Sequence, residues 1–443
     1  MGEFQESSNK PMLQILLLAL AQGIQLDETV ITAPRSAATV TSTTARRTVV
    51  DGERLRETGE RSLPRALAKA TGAAIQESNL GGGAPVLRGL LGGRILIVVD
   101  GVRLNDSTTR LGPNQSLAGI DPEIVDKVEI LRGPASVLYG SDAIGGVILI
   151  WTRHRLPASR TAEEPLKMWD GAFRGTYDSS LGSPRVSLGL GTAYQDHGLM
   201  AVASGFDYED YKAGGNEVVP NTGYNSQSLF GAYEYAMGKR ETLRLTARVN
   251  RDFNVPRTDR MNVGFGQTVS SNQDYRYSLQ DRRGYVLSYT DERSGELADL
   301  MQIRLSMNTY DEERDITAGD GSSSTFSRDE TQTVGIGMDW QAGLGSDHLL
   351  TWGVDLAHDD VNSYREQTDG GGTSQVAGNF APDAQYGRAG VFVQDELFAF
   401  DPLFLTMGLR YSVFDYSFGS FNSNASRGDH FSALTASLEL ARE

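Results

Sequence analysis

The chain has 443 residues, with 41 Lys and Arg against 57 Asp and Glu and a formal net charge of −16. Acidic residues scattered along the whole length exclude the basic face that nucleic-acid binding needs to neutralise phosphates. Cysteine is absent, which excludes disulfides, thiol nucleophiles and cysteine metal sites.

Met12–Ala21 reads Met-Leu-Gln-Ile-Leu-Leu-Leu-Ala-Leu-Ala, a short apolar run behind Lys10 that ends in small residues. Those proportions predict a secretory signal over residues 1–21. The run is too short to cross a bilayer of ~30 Å as a helix, and no other stretch reaches ~20 apolar residues. Any membrane passage therefore falls to strands. Residues 22–47 are polar and rich in Thr and Ala, and are expected to form a flexible tail.

Residues 48–155 read as a compact α/β unit. Ser62-Leu63-Pro64 predicts an N-cap and a helix over Leu63–Ala70 that closes before Gly72. Arg94–Asp100 predicts a strand, and Asp100-Gly101 a tight turn into Val102–Leu104. Asp121-Pro122 suits a helix start. Lys127–Leu131 and Val147–Trp151 are further strands, separated by the Arg132-Gly133-Pro134 turn and a helical turn at Ala135–Tyr139. Asn105–Leu117 is a polar loop punctuated by Gly and Pro. Its Thr109, Arg110, Asn114 and Gln115 are the candidate ligand contacts, because loops on rigid scaffolds carry such groups.

From residue 156 to 443 helix signals fade. Segments of roughly ten residues alternate in polarity between Gly, Asn, Asp and Ser clusters, the pattern of a transmembrane β-barrel. In Thr242–Asn250, Leu243, Leu245, Ala247 and Val249 share one face, while Arg244, Thr246, Arg248 and Asn250 share the other. Gln302–Asn308, Thr333–Trp340, Leu349–Ala357, Gly390–Asp395 and Leu403–Tyr411 repeat the design. Tyr208, Tyr211, Tyr233, Tyr235, Tyr310, Phe398 and Phe400 recur near strand ends as an aromatic girdle would. The five histidines lack ligand spacing, and neither a phosphate loop nor a Gly-x-Ser-x-Gly elbow is present. The expectation is a non-enzyme with no cofactor and no metal.

Two stretches of the first unit carry a family resemblance. Pro85-Val86-Leu87-Arg88-Gly89 with Ile97–Asp106, and Ile120–Glu123 with Val128–Ile148, resemble the plug domain of TonB-dependent outer-membrane receptors in order and spacing. Arg88, Gly89, Asp100, Gly101, Arg132, Gly133, Pro134, Tyr139, Gly140, Gly145 and Gly146 make up the plug motif. Asp27-Glu28-Thr29-Val30-Ile31-Thr32-Ala33 resembles that family's coupling segment, the TonB box. The resemblance implies an α+β plug followed by antiparallel strands of a barrel that has ~22 in this family. Only about a dozen strands are countable here, so an incomplete barrel, from a fragment or a truncated product, is expected.

The implied mechanism is energised uptake across the bacterial outer membrane of a scarce ligand, a ferric siderophore first, otherwise haem or cobalamin. In the resemblance, Asp27–Ala33 pairs as an added strand with TonB of the inner-membrane energy-coupling complex, and outer-membrane lipid surrounds the barrel. Arg88 and Arg132 are expected to pair with carboxylates on the barrel wall. The Asn105–Leu117 loop is expected at the extracellular apex of the plug. The competing reading is a barrel-anchored cell-surface binding protein without active transport, which needs no coupling segment.

Overall fold

The computed structural model describes residues 46–110, 116–160, 169–264, 266, 268–292, 298–345, 347–400, 403–420 and 425–442. The expected signal, the Asp27–Ala33 segment and the loop residues Asn114 and Gln115 lie outside them.

The first unit comprises β1 (Arg46–Asp51), α1 (Gly52–Glu57), α2 (Leu63–Thr71), β2 (Ile75–Gln76), β3 (Ala84–Pro85), β4 (Ile95–Val99), β5 (Val102–Arg103), β6 (Val125–Arg132), α3 (Ser136–Tyr139) and β7 (Gly146–Thr152). Its sheet runs β1-β6-β7-β4-β5, and only β4 and β7 are parallel. All five residues of Ile95–Val99 are buried, so the strand is apolar throughout instead of alternating. One sheet face packs Ile97, Ile130 and Ile148 against Leu55, Leu63 and Leu67 of the helices. The other packs Leu96, Leu131, Val147 and Leu149 against Leu138 and Tyr139.

Local chemistry shapes the connections. Helix α1, which the sequence reading missed, starts where the Asp51 carboxylate accepts the Glu53 N–H at 2.7 Å. Helix α2 stands where expected and ends on a left-handed Gly72, but Ser62 makes no side-chain cap bond. Asp121 does cap, accepting the Glu123 N–H at 2.8 Å, although only a single 3-10 turn follows. Asp100 and Gly101 both have positive φ (50° and 77°), which defines the two-residue turn that matches strand twist. The Asp100 carboxylate then accepts the Thr152 N–H at 2.9 Å and the Thr152 hydroxyl at 2.7 Å, tying the hairpin to the end of β7. Asp100→Ala removes both bonds and the polar side chain that helps a residue tolerate the left-handed region. It is expected to lower plug stability by about 2 kcal/mol, read as a shifted denaturant midpoint. Two glycines of this unit admit no side chain: a Cβ on Gly52 would lie 2.1 Å from the Val125 carbonyl oxygen, and one on Gly146 2.3 Å from that of Leu131.

The second unit is one large antiparallel sheet with a separate two-stranded hairpin. It comprises β8 (Trp169–Asp178), β9 (Ser183–Tyr194), β10 (His197–Tyr208), the small hairpin β11 (Tyr211–Lys212) and β12 (Val218–Val219), β13 (Tyr224–Ala236) and β14 (Glu241–Pro256). There follow β15 (Asn272–Asp291), β16 (Leu300–Ala318), β17 (Ser323–Leu344), β18 (His348–Asp369), β19 (Gly372–Gln375), β20 (Ala384–Phe400), β21 (Leu403–Phe418) and β22 (Arg427–Arg442). Twelve strands follow one another from β8 to β22, with β19 paired onto β18. Among the described residues the sheet does not close: β8 and β22 each pair on one side only.

Alternation sets the two faces. Leu190, Leu229, Leu245, Leu305, Leu356 and Leu409 are exposed on the outer face, while Thr246, Asn250, Arg304, Asp359 and Arg410 are buried on the face that meets the plug. Apolar-out, polar-in is the membrane-barrel arrangement. The strands run longer than the expected ten residues, to 22 in β17 and β18. Alternation fades along Asp359–Asp369 because both faces there are polar, yet the hydrogen-bond ladder continues. The aromatic girdle also needs correction. Tyr233 and Tyr235 flank His197 at one rim, with ring centroids 6.0 and 5.0 Å away. Phe398–Phe404 and the stacked pair Trp340–Trp352 occupy the same rim. Tyr208 and Tyr310 instead turn inward: Tyr208 packs with Tyr224 and Tyr277, and Tyr310 bonds Glu312 beneath the Arg282 guanidinium.

Candidate functional site

Connection lengths distinguish the two rims. At one, β9 turns into β10 over Gln195 and Asp196 alone, and β13 into β14 over 237–240. At the other, β10 reaches β13 over 209–223 and β18 reaches β20 over 370–383. The chain leaves the plug at the short-connection rim, where the Ser159 N–H bonds the Gln195 carbonyl at 2.9 Å and the Arg160 guanidinium the Glu241 carbonyl at 2.8 Å. His154 lies in this linker. Burial, then the Arg244 guanidinium, lowers its pKa to about 3, against about 6.5 in an unfolded chain. Between those values the folded chain binds fewer protons, so stability falls as pH drops from 6.5 toward 3. His154→Gln is expected to flatten that part of the acid-stability curve, measured by thermal melting at stepped pH.

At the long-connection rim, the plug loop after β5 meets the wall. Asn105 fixes its start: it is buried, accepts the Ile97 N–H at 3.0 Å and donates to the Ile95 carbonyl at 3.0 Å. Asp106 turns the chain by accepting the Thr108 N–H at 2.8 Å, and the Thr109 hydroxyl bonds the Asp106 N–H at 3.0 Å. Burial and the nearby Asp359 carboxylate raise the Asp106 pKa against the pull of the Thr108 hydrogen bonds. Arg110 reaches across to Glu312 at 2.6 Å and to the Tyr277 hydroxyl at 3.2 Å. Glu312 also accepts from Gln280 and Tyr310 and forms an ion pair with Arg314 at 3.0 Å. A cavity of about 470 Å³ lies between this loop and the wall, lined by Thr109, Arg110, Ser116, Asp329 and Phe380 among others. Two of the four expected ligand contacts, Thr109 and Arg110, therefore line one cavity at the loop-rich rim, and Arg110 also tethers the plug.

The ion pairs that hold the plug differ from those expected. Arg132 donates to Thr48 inside the plug, and Arg88 folds back to within 3.0 Å of the space a Gly133 Cβ would fill. Among the described residues neither pairs with a wall carboxylate. Arg132 ends strand β6 just before Gly133 and Pro134, and Arg88 lies with Gly89 in the turn between Leu87 and Leu90, so both side chains are engaged within the plug. Arg110–Glu312 and the buried pair Arg185–Asp121 span the interface instead, joined by Arg174 with Glu53 at 2.8 Å and Glu123 at 3.5 Å. Two more motif residues approach the wall directly: Gly101 lies against Arg304, and Gly140 beside Tyr139 lies against Arg410. Gly145 and Gly146 lead into β7, where a Cβ on Gly145 would meet Leu90 at 3.0 Å. Sequence spacing held no signal for the wall partners, which lie 64 residues or more away along the chain. Among the described residues no group of three or more His, Asp or Glu side chains could hold a metal ion.

Residues 39–147 match the family described as the TonB-dependent Receptor Plug Domain. The vitamin B12 transporter BtuB of Vibrio vulnificus (strain CMCP6) is 27% identical over 340 residues, covering 75% of this chain and 53% of its own length. The chain thus spans about half the length of that curated relative. The copper transporter OprC superposes with a TM-score of 0.70 at 18% identity, over 89% of this chain and 60% of that one. The unliganded ferric citrate transporter FecA gives 0.69 at 17% identity, over 91% and 61%. The superpositions extend over about nine-tenths of this chain, so its fold is that of the solved transporters. Residues 39–147 match the plug domain of the TonB-dependent receptors, and the strand sheet that follows has the fold of the solved transporters' barrels.

Proposed function

We propose that the protein takes up a bulky metal chelate across the bacterial outer membrane, drawing energy through its N-terminal segment from TonB. The observation that carries this reading is the placement of the plug. Its apical loop and cavity face the loop-rich rim, and its linker leaves at the short-connection rim. A ligand held at the first rim and a pull applied at the second act on the same small domain. Asp27–Ala33 supplies the pull: Thr29, Val30, Ile31 and Thr32 are suited to strand addition through the backbone. Cobalamin is the cargo favoured by the curated relative, which carries vitamin B12. A ferric siderophore is the next candidate and haem the third. Loop chemistry decides among them.

Titrating the full chain in detergent with the periplasmic domain of TonB tests the coupling. The wild type is expected to bind, and Ile31→Pro, which deletes a ladder donor, to lose at least about tenfold in affinity. A folded wild-type chain that fails to bind would favour a surface-anchored binder instead.

A further inference from the structure

The plug is held in two different ways. Against β10 and β13 the contact centres on an apolar patch, with Met200, Val202, Phe230 and Ala232 joining the plug's own core, and Asp121 accepts the Ser204 hydroxyl beside a smaller space. Against β16 to β21 one apolar contact, Phe392 with Leu138 and Tyr139, stands beside hydrogen bonds and ion pairs, and two spaces are left. The upper one is the apical cavity. The deeper one, about 790 Å³ and partly open to solvent, lies between the β4–β5 hairpin and the wall. Small side chains leave that room: Ser306, Gly335 and Ala357 are cross-strand partners in one row facing the plug.

Asp359 stands between the two spaces. Along β18 it follows Ala357 of the deep cavity, and its strand partner is Thr333, two residues beyond Thr331 of the apical one. It is wholly buried. One carboxylate oxygen accepts the Ser107 N–H of the plug at 2.8 Å and the Arg388 guanidinium at 3.3 Å; the other accepts the Thr333 hydroxyl at 2.9 Å. Beside it the Thr108 and Thr331 hydroxyls meet at 3.3 Å. Two of these hydrogen bonds, those of Ser107 and Thr108, run between plug and wall, and such bonds can open locally without unseating the plug.

We propose that cargo passes the plug along the β16–β21 wall, from the apical cavity into the deep one, with Asp359 as the gate residue between them. The proposal rests on the uptake reading above. Drawing Ser107 away from Asp359 joins the two spaces, while the Phe230 contact keeps the plug seated on β13. The plug swings open on one side and stays docked on the other.

The natural absence of cysteine allows a test that needs neither ligand nor TonB, so its failure is separable from failure of the uptake reading. Single cysteines at Thr109 (apical), Ala357 (deep) and Ala232 (apolar contact) are reacted with a bulky polar maleimide in the full chain. Ala357→Cys is expected to react more slowly than Thr109→Cys. Adding Asp359→Ala should speed it about tenfold, the equivalent of one net hydrogen bond. Asp359→Asn, which keeps an acceptor for Ser107, should have a smaller effect, and Ala232→Cys should not respond. Equal rates at 357 and 109 in the parent would overturn the proposal. So would no acceleration by Asp359→Ala, or equal acceleration at 232, the sign of a generally loosened plug.

Discussion

Phe230→Ala is expected to destabilise the seated plug by about 3–5 kcal/mol, the cost of removing a buried aromatic from a core that cannot fully collapse. Phe230 belongs to the barrel wall, yet it is 1% exposed and packs in the same cluster as Ile97, Ile130 and Ile148 of the plug sheet. The loss should therefore appear in the plug: faster amide exchange in β4 and β7 and earlier proteolysis between residues 46 and 152. Phe173 is the control. It lies on the outer face of β8 at 76% exposure, and its alanine variant should leave plug exchange within about 0.5 kcal/mol of wild type. If the two variants behaved alike, wall and plug would not share a core.

Arg185→Met should cost a similar amount, about 3–5 kcal/mol, by a different route. The Arg185 guanidinium and the Asp121 carboxylate pair across the interface with 7% and 6% of their side chains exposed. Asp121 also receives the Ser204 hydroxyl and the Glu123 N–H, so it cannot turn away to solvent without uncapping the plug's 3-10 turn. Methionine fills much of the volume and leaves the carboxylate buried without its counter-charge. The double variant Arg185→Met/Asp121→Asn should recover most of the loss. A simple packing defect would show no such recovery. Denaturant midpoints of the wild type and the two variants separate the cases.

How much of this was legible in the sequence depended on the range of each interaction. Asp100-Gly101 announces its turn because the constraint is local: two consecutive residues must take positive φ, and both types tolerate it. The Asp121-Pro122 start and the helical turn before Gly140 are legible for the same reason. Polarity alternation in Thr242–Asn250 correctly assigned its two faces, since period two is a property of the strand itself. Partners across the interface are another matter. Arg110 looked like a free ligand contact, and nothing nearby in sequence marks Glu312 as its neighbour. Arg88 and Arg132 looked available because the turns that occupy them are built from three separate segments. Tyr208 and Tyr310 were placed in the girdle by position near strand ends, whereas parity along β10 and β16 turns them inward. The coincidence of Thr109, Arg110 and Asp329 around one cavity depends on the loop and β17 meeting, which only the tertiary fold brings about.

The docking of the plug's apical loop on the wall underlies both the candidate site and the transport reading, and one cross-link tests it directly. Thr108 and Thr331 present hydroxyls 3.3 Å apart, and the chain has no other cysteine to interfere. In the folded Thr108→Cys/Thr331→Cys variant, mild oxidation should close a disulfide nearly completely, giving a faster-migrating band that reductant reverses. Thr108→Cys paired with Ala232→Cys should stay open. A folded chain in which the 108–331 pair remained reduced, or closed no better than the 108–232 pair, would contradict the seating of the loop against β17.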